Sequence, residues 1–122
     1  MEIVYLGDAA RGNTTEKLLI ELNINFVNSN TKPDMILFDR STDEIFVVET
    51  VFTTGHIDTV RLNKLREIFD SKSKLVFVTA VESRKYIRFP KVFKELAWGT
   101  SLWVAEHPTG LIKFIEYDSQ DG

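Results

Sequence analysis

Apolar residues recur at helical spacing through Glu16-Lys17-Leu18-Leu19-Ile20-Glu21-Leu22, a segment that follows Thr14 and Thr15 and stops near Asn23. A threonine hydroxyl can cap the first free amides, so this pattern predicts a short opening helix. Pro33 then introduces Asp34-Met35-Ile36-Leu37-Phe38-Asp39, and its fixed φ and missing N–H suit the start of a strand. The next apolar run, Ile45 to Phe52, comes after the turn-rich Arg40-Ser41-Thr42-Asp43-Glu44, so the two runs read as a β-hairpin.

Helical spacing returns from Ile57 to Phe69 and ends at Asp70-Ser71-Lys72-Ser73. Lys74 to Ala80 is nearly continuous in apolar residues, the pattern of a mid-sheet strand covered on both faces. The segment from Ser83 to Leu96 reads as a helix interrupted by Pro90. Ser101 to Ala105 and Leu111 to Ile115 read as two further strands, joined through His107-Pro108-Thr109-Gly110. The order α-β-β-α-β-α-β-β predicts an α/β fold with a mixed central sheet flanked by helices, without internal repeats or long linkers.

The 122 residues suffice for one hydrophobic core and are too few for two comfortable domains, so we expect a single domain over residues 1–118 and a loose tail at 119–122. With 43% apolar and 27% charged residues the chain falls outside the disordered and fibrous classes. No apolar run approaches the roughly 18 residues of a membrane helix, and the start lacks a basic segment followed by a long apolar stretch. A cytoplasmic location is the expectation. The absence of cysteine fits a reducing compartment and leaves oxygen and nitrogen ligands for any metal.

A net charge of −3 argues against a protein that coats nucleic acid. Its distribution qualifies that conclusion. Arg84, Lys85, Arg88, Lys91 and Lys94 fall between Ser83 and Lys94 with no acidic residue among them, and Tyr86, Phe89 and Phe93 are interleaved. Such a stretch either contacts phosphates or forms a solvated basic helix face.

The hairpin also places chemistry. Opposed residues of an antiparallel pair have a constant index sum, so a turn centred near residue 41 or 42 sets Asp34 across from a position between 48 and 50. Asp34 and Glu49 thereby become neighbours. Glu49 lies in an otherwise apolar strand, where an ionised carboxylate is costly unless a cation offsets it. Two converging carboxylates without cysteine or histidine beside them suit a hard divalent metal such as Mg²⁺ or Mn²⁺, which can polarise a phosphodiester and activate water. The competing interpretation is a pair of strand-end acids, solvated or bound to arginine.

Pro33-Asp34, with Glu49-Thr50-Val51 fifteen residues on, resembles the PD-(D/E)XK signature of the restriction-endonuclease superfamily. More specific blocks are LGD at Leu6 to Asp8, LLIELNI at Leu18 to Ile24, PDMILFD at Pro33 to Asp39, LVFVTA at Leu75 to Ala80 and AWGTSLWVAEHP at Ala97 to Pro108. In this order they resemble the C-terminal nuclease region of the BsuBI/PstI restriction endonucleases. The resemblance implies a PD-(D/E)XK restriction-endonuclease-like core in which Asp34 and Glu49 bind the catalytic Mg²⁺ (or Mn²⁺), with double-stranded DNA as the substrate. Arg84, Lys85 and Arg88 are the candidates for backbone contacts. Cutting both strands favours a homodimer.

Two departures accompany the resemblance. Val51 stands where the superfamily signature has lysine, and it can neither orient water nor stabilise charge. The relatives carry instead a glycine loop followed by basic residues, which here reads Thr53-Thr54-Gly55-His56-Ile57 with Arg61 and Lys64 beyond. At about 100° per residue Arg61 falls between Ile57, Leu65 and Ile68, inside the apolar arc, so its guanidinium needs a carboxylate or phosphate partner. Arg61 either supplies the missing lysine's charge at the Asp34/Glu49 end or pairs only with a core carboxylate; Lys64 is the second candidate. The second departure is the recognition segment of the relatives, so site choice is expected to need a separate specificity subunit, dimerisation or the core's own loops.

Weaker candidates complete the set. The first-helix Glu21 approaches the metal in many PD-(D/E)XK enzymes, although a surface role suits its position here. His56 is a possible base or phosphate ligand, and Trp98 and Trp103 read as packing residues. The rival functional readings are an inactive DNA-binding or regulatory module that keeps the fold, and an immunity-type interaction protein.

Overall fold

The computed structural model describes residues 1–7, 16–25, 31–51 and 55–117. The expected caps Thr14 and Thr15, the strand end Phe52, the loop threonines Thr53 and Thr54 and the tail lie outside the described residues.

The hairpin forms as the pattern requires. Strands β2 (Met35–Asp39) and β3 (Glu44–Thr50) pair antiparallel from Asp39↔Glu44 to Met35↔Val48. Asp39 stabilises the turn by accepting hydrogen bonds from the Ser41 amide at 3.0 Å and the Ser41 hydroxyl at 2.6 Å. A strand not anticipated from the sequence, β1 (Glu2–Leu6), adds antiparallel to the outer side of β2. Strand β4 (Lys74–Val81) runs parallel to β3, β5 (Ser101–Val104) parallel to β4, and the short β6 (Ile112–Lys113) antiparallel to β5. The mixed sheet has the order β1-β2-β3-β4-β5-β6, so β4 lies inside it as expected.

The three described helices are α1 (Glu16–Glu21), α2 (Thr59–Arg66) and α3 (Phe89–Glu95). Alternation along the strands decides which face they cover. Ile36, Phe38, Ile45, Val47 and Phe77 form one cluster with Leu18 and Leu22 beside α1 and with Leu62 and Leu65 of α2. Val81, Leu102 and Val104 form a second cluster with Val92 and Leu96 of the α3 region. Because Thr79↔Leu102 and Val81↔Val104 are register pairs, all three helices pack on the same face. The opposite face carries an apolar groove of about 500 Å³, lined in part by Met35, Leu37, Phe46, Val48, Val78 and Trp103. Val78 on that face is nevertheless buried, as is Phe77 on the other, so the middle of β4 is covered on both faces as expected, although the described helices lie on one.

Pro90 corrects the reading of residues 83–96. It falls in the first turn of α3, where a missing N–H leaves no bond unmade, so proline starts the helix there and does not interrupt it. Residues ahead of Phe89 are turns, with Tyr86 N donating to Ser83 O at 3.1 Å and Phe89 N to Tyr86 O at 2.9 Å. No helix among the described residues is long and apolar enough to cross a membrane.

Candidate active site

The carboxyl end of β3 holds Glu49, which has 0% exposure and is the only charged side chain in the buried set of described residues. Its position follows from alternation: Ile45, Val47 and Glu49 all point to the helix-covered face. A carboxylate there requires a cationic partner. Arg61 provides it through a two-point contact, with Nε 2.6 Å from Oε2 and Nη2 3.1 Å from Oε1. The same Nη2 donates to the Lys32 carbonyl at 3.1 Å, tying the guanidinium to the chain that leads into Asp34.

Local structure fixes Arg61 in turn. Asp58 caps α2, and its Oδ1 accepts the Arg61 amide at 2.8 Å. Ile57, just before the cap, is fully buried in the core cluster with Leu62, which sets the entry angle of the helix. Its amide donates to Thr79 Oγ1 at 3.0 Å, and its carbonyl accepts from Ala97 N at 2.9 Å. Thr79 is itself the register partner of Glu49 on β4. A closed circuit therefore runs from Glu49 to Thr79 across the sheet, to Ile57 and the cap, and through Arg61 back to Glu49.

Asp34 lies one residue before β2, just beyond the Met35↔Val48 pair and at the end of the hairpin where β3 carries Glu49. Its carbonyl accepts from Gly7 N at 2.8 Å, which joins β1 to this end of the sheet. A Cβ at Gly7 would stand 3.2 Å from that carbonyl oxygen, so the close approach favours glycine. The Asp34 carboxylate binds the end of β3: Oδ2 accepts from Thr50 N at 2.7 Å and from Thr50 Oγ1 at 3.1 Å. Both acids therefore lie at the same end of the hairpin, with Thr50 among the partners of Asp34 and Arg61 among those of Glu49.

The donor set suits a hard divalent cation, being carboxylate oxygen with no thiolate. Among the described residues no group of three or more His, Cys, Asp or Glu side chains gathers at the site. Any ion would therefore use these two carboxylates with backbone oxygens or water. Val51, at the signature's lysine position, packs against the α3 cluster instead.

Arg84, Lys85 and Arg88 are exposed in the turns between β4 and α3. Since β3 and β4 are parallel and Thr50 pairs with Ala80, this segment leaves the sheet at the end that carries Glu49. Glu106 anchors it, accepting the Arg84 amide at 3.0 Å and the Ser83 hydroxyl at 2.9 Å. These bonds, the Arg84 amide foremost, hold the Glu106 carboxyl below its ordinary value.

Other candidates lie elsewhere. Glu21 takes the Arg40 guanidinium at 2.8 Å, and Arg40 also binds Glu2 at 2.9 Å. These contacts are at the turn end of the hairpin, away from Asp34, and the Arg40 hydrogen bond lowers the Glu21 carboxyl's pKa. His56 Nε2 is 2.9 Å from Glu95 Oε1, off the hydrogen-bond axis, and is buried without a hydrogen bond. Lys64 is exposed. Trp98 is not a core residue: it is 64% exposed, with its ring 6.2 Å from that of Phe114. Trp103 faces the apolar groove and donates Nε1–H to Pro108 O at 3.0 Å. The supporting residues Asp58 and Thr79 were not anticipated. Their signals were an aspartate directly before a helical run and a lone hydroxyl in an apolar strand.

Comparison with known proteins places this geometry. The chain matches the BsuBI/PstI restriction endonuclease domain over residues 1–117. It is 28% identical over 115 residues to the type II restriction enzyme BsuBI of Bacillus subtilis, covering 92% of this chain and 36% of that enzyme. It is 34% identical over 114 residues to the type II restriction enzyme AplI of Arthrospira platensis, covering 88% and 35%. The solved structure of the SdaI restriction endonuclease superposes with a TM-score of 0.78 at 35% identity, covering 97% of this chain and 37% of that one. The chain therefore spans little more than a third of the length of these relatives. The fold is that of a restriction-endonuclease core, and the chain belongs to the BsuBI/PstI restriction endonuclease family.

Proposed function

We propose that this chain is the nuclease core of a type II restriction system, acting in the cytoplasm to hydrolyse phosphodiesters of double-stranded DNA with Mg²⁺ or Mn²⁺. Asp34 and Glu49 would hold the ion, which when bound supplies Lewis-acid polarisation of the phosphate and a more acidic water. Arg61 takes the role of the absent lysine. The observation that carries this reading is the division of labour within its guanidinium. Nε and Nη2 are committed to Glu49, while Nη1 makes no hydrogen bond among the described residues and the side chain keeps 24% exposure. A spare donor on a guanidinium positioned beside the two acids suits a phosphate oxygen whose charge grows in the transition state. Arg84, Lys85 and Arg88 hold the DNA backbone from the same end of the sheet.

Double-strand cutting is served by a homodimer, with sequence choice supplied by loops or by a separate specificity subunit. A second reading, a DNA-binding module without catalysis, is favoured by Val51 and by the engagement of both Glu49 oxygens with Arg61. Plasmid cleavage with Mg²⁺ or Mn²⁺ separates the two. Metal-dependent nicking or linearisation that disappears in Asp34→Ala and Glu49→Ala supports the nuclease. DNA binding without cleavage under either metal supports the module.

A further inference from the structure

We infer that Arg61 and the divalent cation compete for Glu49, so that Arg61 is the stand-in counter-ion of the metal-free protein and gives up its hold when the ion arrives. The inference rests on the reading that Glu49 is a metal ligand, and goes beyond it by assigning the sign of the coupling between two neighbours.

Glu49 has no exposure, so water cannot balance its charge, and the fold needs a cation at that carboxylate before any metal is present. Arg61 meets the need with contacts of 2.6 and 3.1 Å that engage one oxygen each. A hard divalent ion bound directly to Glu49 must approach one of those same oxygens at roughly 2.0–2.1 Å for Mg²⁺. Guanidinium and metal are then like charges drawn to one small anion, and each weakens the other's binding.

The surroundings let Arg61 yield without unravelling the site. Its backbone is held independently, by the Asp58 cap and by the Ile57 contacts to Thr79 and Ala97. Nη2 also keeps a bond to the Lys32 carbonyl. The side chain is partly exposed, so the freed guanidinium has an open side on which to meet an incoming phosphate. Arg61 would then neutralise Glu49 at rest and the DNA backbone in the loaded state.

Mn²⁺ titration by calorimetry, compared between the intact chain and Arg61→Met, reads the coupling directly. Competition predicts that Arg61→Met binds Mn²⁺ about tenfold more tightly, within the ordinary range of such couplings. It also predicts a larger rise in Tm on adding Mn²⁺ than the intact chain shows. Arg61→Lys, which keeps the charge but loses the fork, should fall between. Equal or weaker Mn²⁺ binding by Arg61→Met would overturn the competition while leaving the metal site standing. Binding by neither protein would overturn both. Should Arg61→Met fold too poorly to titrate, Arg61→Lys carries the test, and there affinity no tighter than that of the intact chain overturns the competition.

Discussion

Arg61 Nε lies 2.6 Å from Oε2 of Glu49, and this contact joins the first turn of α2 to the buried end of β3. One side is fully buried and the other 24% exposed, which places the pair between a core ion pair and a surface one. Losing the guanidinium strands a buried carboxylate. Arg61→Met is therefore expected to cost roughly 3 kcal/mol, the low end for breaking a buried pair. Urea unfolding measures it, and Arg61→Met combined with Glu49→Gln should regain much of the loss. A change under about 0.5 kcal/mol would mean that the pair is screened like a surface one.

Cleavage should respond to the same substitution. A donor aimed at developing phosphate charge is worth about a hundredfold or more in kcat. Single-turnover cleavage by Arg61→Met, at a temperature where the variant is folded, is expected to fall by that amount. An unchanged rate would remove Arg61 from the chemistry.

The Asp58 cap supports Arg61 from the backbone side, through the 2.8 Å bond to its amide. Asp58→Ala should cost about 1 kcal/mol in stability, whereas Asp58→Asn, which keeps a capping oxygen, should cost far less. If the asparagine variant is as unstable as alanine, the aspartate works by charge and not as a cap.

Exposed cations on the turns after β4 make a claim about salt. If Arg84, Lys85 and Arg88 each neutralise one phosphate, replacing all three with glutamine lowers the slope of log K against log salt by up to about 2.7. Fluorescence anisotropy with duplex DNA at several salt concentrations gives the slope. No change would return the segment to its alternative reading as a solvated surface.

Glu106 holds that segment in place, and the hold depends on pH in a known direction. Its folded carboxyl is depressed below the ordinary 4.5, so its contribution is fully present above that value and is lost as pH falls through the lower folded pKa. Hydrogen exchange at the Arg84 amide should show steady protection above pH 4.5 and declining protection in more acid solution, after correction for intrinsic rates. Loss of protection between pH 5 and 7 would contradict the tether.

The hairpin was legible because two local rules coincide: Pro33 marks the strand start, and a short turn fixes the index sum that brings Asp34 and Glu49 to the same end. Arg61 was legible as a charge at an inward helical position. What sequence periodicity missed depended on tertiary context. Five residues at Glu2–Leu6 become a strand because β2 offers an open edge, and Pro90 opens a helix because turns precede it. Trp98 is exposed although the family blocks suggested a packed position. Periodicity also cannot report that helices separated along the chain share one face of the sheet.

The central claim is that one divalent ion is held between Asp34 and Glu49. A crystal soaked in Mn²⁺ and measured at the manganese absorption edge tests it most directly. The account predicts an anomalous peak bonded to carboxylate oxygens of both residues, with the Arg61 guanidinium displaced from at least one Glu49 oxygen. An empty site under saturating Mn²⁺, with the Arg61 and Glu49 contacts unaltered, would contradict it.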